Sequence, residues 1–85
     1  MMSKFERFFP YCTVKRNLAR LRYDVYFEDE LLLWFKEELL VGKTEKEQER
    51  FVAEIGRRLT ASTGFKVKVE EANIRKMVER LKRVK

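Results

Sequence analysis

Apolar and polar positions along the chain change period several times, and each change marks a predicted element. From Leu18 to Phe27 they alternate, with Ala19, Leu21, Tyr23, Val25 and Phe27 on one side and Arg20, Arg22, Asp24 and Tyr26 on the other. A half-buried strand needs this two-residue repeat. Val14, Leu18, Leu21 and Val25 also recur at helical spacing, but Tyr23, Val25, Tyr26 and Phe27 are strong strand formers, so the segment is assigned to a strand over 18–27. Residues 11–15 offer a partner strand, although no Asn-Gly or Asp-Gly pair marks a hairpin turn. Upstream, residues 3–9 fit one short helical turn, ended by Pro10, which has no backbone donor to continue it.

The next pattern predicts a helix over 28–41. Glu28, Asp29 and Glu30 complement the positive end of a helix dipole, and Gly42 follows Val41 as a stop signal. Leu31, Leu32, Phe35 and Leu39 form one apolar arc on a helical projection, while Leu33 with Leu40 and Trp34 with Val41 fall in other sectors. A helix apolar on several sides needs cover on several sides. Thr44 followed by Glu47 reads as a capping box for a helix over 45–61, which buries Phe51, Val52, Ile55 and Leu59 and pairs Glu54 with Arg58 outside. Thr60 to Gly64 is turn-like, Phe65 to Val69 alternates as a short strand with Lys66 and Lys68 on one face, and Glu70 and Glu71 open a last helix. In that helix Ile74, Met77, Val78, Leu81 and Val84 make one apolar stripe. The order is β-α-α-β-α, which gives an α+β fold: a single small domain over 1–85 with a small sheet packed on helices.

Composition limits how such a domain is held together. At 85 residues it buries only roughly 60 to 65% of its unfolded surface, so the core is thin. Cys12 is the only cysteine and histidine is absent, which excludes an internal disulfide and any multi-cysteine metal site. Seven Phe, three Tyr and Trp34 supply aromatic mass instead, and a second subunit is the other available supplement. Charges interrupt every apolar run near the N-terminus, and the longest run, Leu31 to Phe35, is far short of a membrane span. The expectation is a cytoplasmic protein with no membrane association. Charged residues reach 40% and Asn17, Asn73 and Gln48 are the only amides, a balance typical of hyperthermophile proteins.

Charge is segregated. Residues 1–27 carry Lys4, Arg7, Lys15, Arg16, Arg20 and Arg22 against Glu6 and Asp24, and residues 50–85 carry eleven Lys or Arg against Glu54, Glu70, Glu71 and Glu79. Between them, residues 28–49 hold eight carboxylates against Lys36, Lys43 and Lys46. Basic ends around an acidic middle favour a polyanionic partner and one basic surface. Catalysis finds no support: the usual nucleophile and base pairings are missing, and Gly42-Lys43-Thr44 lacks the earlier glycine and preceding strand of a phosphate loop. The carboxylates from 28 to 49 sit where exposed helix charge is usual, so neither a metal nor a cofactor is expected.

Arginine forks grip phosphate oxygens and lie flat on bases, and a tyrosine ring gives a stacking platform. The strand face with Arg20, Arg22 and Tyr26, extended by Lys15 and Arg16, is therefore the first candidate site, and Lys66 and Lys68 with the basic last helix are the second. The leading expectation is a small, basic, non-enzymatic nucleic-acid-binding protein, a homodimer, contacting the sugar-phosphate backbone and taking no small-molecule substrate. The rival expectation is a protein-interaction module that dimerises or docks a partner through Leu33, Trp34, Leu40 and Val41 of the apolar helix.

Overall fold

In a computed structural model, which describes residues 4–83, all three strands precede both helices. A 3-10 turn over Glu6–Phe8 leads into β1 (Cys12–Asn17), β2 (Arg22–Phe27) and β3 (Glu30–Lys36), which form an antiparallel sheet in the order β1-β2-β3. A second 3-10 turn, Glu37–Leu40, precedes α1 (Glu45–Ala61) and α2 (Thr63–Arg83). The fold is α+β, and the predicted order β-α-α-β-α is corrected to three strands followed by two helices.

Two predicted elements change type, each for a readable reason. Glu28, Asp29 and Glu30 do not start a helix: Glu28 and Asp29 are a two-residue hairpin turn, Glu28 holding a φ of +49°, and Glu30 pairs with Phe27. The apolar run behind them is β3. Val25 pairs with Leu33 and Tyr26 with Leu31, so Leu32 is an extra residue on β3, a bulge that shifts the strand's parity. The five apolar residues therefore do not alternate, which is why they read as a helix apolar on several sides. The second change runs the other way. Phe65 to Val69 is helical, because Phe65, Val69 and Ala72 recur at spacings of four and three and pack on one face, which the short alternation conceals.

Other expectations hold. β2 occupies the second half of the predicted strand, and Leu18–Leu21 is its hairpin loop, in which the Asn17 side chain accepts from the Arg20 N–H at 3.1 Å and Leu21 takes a φ of +49°. The partner strand at 11–15 is β1. Thr44 Oγ1 accepts from the Glu47 N–H at 3.2 Å and fixes the start of α1, and Glu54 pairs with Arg58 at 3.4 Å. Ser62, with a ψ of 135°, breaks the chain between the helices, and its hydroxyl accepts from the Phe65 N–H.

The core lies between the inner sheet face and the helices, and rings dominate it. Phe35 packs against Phe5, Phe9 and Tyr23 with ring centroids 5.3 to 6.5 Å apart, and Phe27 meets Phe65 edge-on at 5.7 Å. The 3-10 turn delivers Phe5 and Phe9, both fully buried, and lies so close to α1 that only a glycine fits at position 56.

Cys12 is buried in this core. Burial, aided by the nearby Glu6 charge, pushes its thiol up to about 11. A neutral, covered thiol is inert, so iodoacetamide at pH 8 is expected to leave Cys12 unlabelled in the folded protein and to label it readily in denaturant. Because the folded thiol binds its proton more tightly than the unfolded one, stability is full below about pH 9 and falls as pH rises towards 11. Urea unfolding across that range checks the sign.

Candidate nucleic-acid interface

The register of the sheet sorts its side chains. Residues directly opposite on antiparallel strands share a face, so the outer face carries the rows Asn17–Arg22–Lys36, Lys15–Asp24–Trp34 and Thr13–Tyr26–Leu31. Both helices pack on the other face, through Val52, Phe65 and Ala72 among Val14, Val25 and Phe27. The outer face is consequently open, and Trp34 leaves 47% of its surface exposed there.

A polar network organises that face around Asp24, the only buried charged residue among those described, at 4% exposure. Arg22 Nε donates to Asp24 Oδ1 at 2.7 Å and Asn17 Nδ2 donates to Oδ2 at 3.2 Å. The same guanidinium lies over the Trp34 ring, 4.6 Å from its centroid, so Asp24 holds the Arg22 charge against the indole. Lys15 Nζ sits 5.2 Å from the Tyr26 ring, giving a second cation and ring pair on the neighbouring strands. Lys36 ends the face with only a loose 3.7 Å contact to Glu38. Arg20, in the loop beside the Asn17–Arg22–Lys36 row, is exposed and has no ion pair among the described residues.

The sequence-derived binding residues thus divide into three groups. Lys15, Arg22 and Tyr26 share the outer face, with Arg20 at its border. Arg16 has the opposite parity, opposite Tyr23, and is held by Glu37 in a bidentate pair. The hydrogen bond and charge of Arg16 keep the Glu37 carboxyl below its usual range, and those of Glu37 raise the guanidinium. Lys66 and Lys68 are on α2, across the sheet: Lys66 borders a groove with Pro10 and Tyr11, and Lys68 pairs with Glu30 at 2.5 Å.

The proposed interface residues are also redistributed, because no helix spans 28–41. Leu33 is half-buried in β3, Trp34 is on the outer face, Leu40 is in the core and Val41 is exposed in the link to α1. They form no common surface. Trp34 and Lys36 enter the candidate site instead, and the signal for them was the pairing capacity of 30–36 with 22–27, which the bulge disguises. Among the described residues no group of three or more His, Cys, Asp or Glu is placed to hold a metal, and no helix is long and apolar enough to cross a membrane. Compared with protein-family models, curated proteins and solved structures, the chain finds no match.

Proposed function

We propose that this chain is a non-enzymatic, cytoplasmic protein that binds single-stranded nucleic acid across the outer face of its sheet. The observation that carries the proposal is the half-exposed Trp34 ring, backed by Arg22 and lying on one open face with Tyr26, Lys15 and Lys36. Two aromatic platforms suit unstacked bases, which a duplex does not present, and cations bordering them suit the phosphates between those bases. Arg22 is neutralised by Asp24, so it positions the indole and stacks rather than gripping phosphate. Lys15, Arg20 and Lys36 supply the backbone contacts.

Three phosphate contacts on a single strand give a slope of log affinity against log salt of about −2. Trp34 is the sole tryptophan, so its fluorescence reports directly on the site. Labelled single-stranded oligonucleotides are expected to raise anisotropy at low salt and to quench Trp34, with duplexes binding more weakly. Trp34→Ala is expected to weaken binding by roughly 5- to 150-fold, the equivalent of about 1 to 3 kcal/mol of base stacking. Lys66→Glu, on the far side, is expected to change little. Absence of binding at low salt, or equal affinity in Trp34→Ala, sinks the proposal.

A further inference from the structure

α2 has two apolar faces, and the fold covers one of them. Phe65, Val69 and Ala72 face the core, whereas Val67, Ile74, Met77, Val78 and Leu81 lie within an arc of about 100° on roughly the opposite side. All five of these are exposed, Leu81 to 67%. Every residue from Asn73 to Arg83 is exposed, and the fold ties this stretch down through polar groups at its base: Arg75 to Glu28 at 2.6 Å and Lys76 over the Tyr11 ring at 5.5 Å. A helical end of this length without apolar packing is marginal in water, and its free stripe is the face that packing would use.

We propose that this stripe pairs antiparallel with α2 of a second copy of the chain. Ile74 and Leu81 stand seven residues apart with Met77 and Val78 between them, the seam of a two-helix coil. The paired segment from 74 to 81 runs about 10 Å along the axis. Charge selects the direction. Glu71 borders one side of the stripe near its start and Lys82 borders the same side near its end, and neither has an ion pair among the described residues. With a two-fold axis between Met77 and Val78, Ile74 packs on the partner copy's α2 at the level of its own Leu81, and each Glu71 meets a Lys82 across the seam. In a parallel, in-register pair Glu71 of one copy and Lys82 of the other stand about 16 Å apart along the axis and do not meet. The stripe is separate from the outer sheet face, so the inference does not depend on nucleic-acid binding.

Sedimentation equilibrium of the full chain is expected to give twice the 10.4 kDa chain mass. Ile74→Glu with Leu81→Glu is expected to give a monomer whose circular dichroism still shows the folded sheet and α1. Glu71→Lys alone is expected to weaken the dimer severalfold, and Glu71→Lys combined with Lys82→Glu to restore it. These last two variants change only exposed side chains, so they test the pairing even if the double glutamate variant fails to fold. A monomeric parent chain overturns the proposal, and so does a charge swap that fails to restore the dimer.

Discussion

Gly56→Ala is expected to destabilise the protein by about 3 kcal/mol, although alanine is the better helix former by about 1 kcal/mol. A Cβ at position 56 would stand 2.1 Å from the Phe8 carbonyl oxygen and 3.3 Å from the Phe8 Cβ. The first of these is backbone and cannot rotate away. Relief requires lifting the 3-10 turn from α1, and that turn is flanked by Phe5, whose ring meets Phe35 edge-on, and Phe9, whose ring stacks on Phe35. The local clash therefore spreads into the aromatic core. A domain of this size has a total stability of roughly 4 to 13 kcal/mol, so the loss is a large fraction of it. A fall in the urea midpoint with an unchanged m-value is the expected readout, and an alanine variant as stable as the parent would show that the turn does not seat on α1.

Asp24→Ala is expected to cost about 2 to 4 kcal/mol. Removing the carboxylate leaves the Arg22 guanidinium, only 13% exposed, without its charged partner, and the Asn17 amide loses its acceptor. The loss stays at the lower end of the range for a broken buried pair because the arginine stem is flexible enough to lift its head into water. Replacing both members, Asp24→Leu with Arg22→Met, is expected to recover most of that stability, since an apolar pair of similar volume carries no desolvation penalty. The two variants separate stability from recognition. Both lose the clamp that holds a cation against Trp34, so both are expected to bind single strands more weakly than the parent, whatever their urea midpoints.

Helix α1 and strand β2 were legible in the sequence because local and global signals agree there. Thr44 caps where the 3.6-residue period begins, and the Tyr23 to Phe27 stretch combines strand propensity with strand parity. β3 was not legible. Leucine has no strong strand preference, a single inserted residue at Leu32 cancels the alternation, and an acidic triplet serves a hairpin turn as readily as a helix start. The opening of α2 failed for a related reason, since five residues are too few to separate a period of two from one of 3.6. The same two segments conceal the candidate site: a helix over 28–41 gives Trp34 and Lys36 no reason to sit beside Arg22, and Lys66 and Lys68, expected on a strand, belong to the far side of the molecule. Arg22 and Tyr26 are legible because the parity of β2 alone fixes them, whereas Lys15 and Arg16 extend the patch together in the sequence and only the register of β1 separates them.

The bulge at Leu32 has a further effect on how the chain behaves among its neighbours. β1 and β3 each have one side that no strand pairs, and unpaired ladder groups invite a foreign strand to add on. On β1 the Glu6 carboxylate already occupies one such group, accepting from the Val14 N–H at 3.2 Å. On β3 the inserted leucine interrupts the spacing of donors and acceptors along the apolar Leu31–Phe35 stretch, so an incoming strand finds no continuous template. The irregularity that obscures this strand in the sequence thus also guards it against cross-β aggregation.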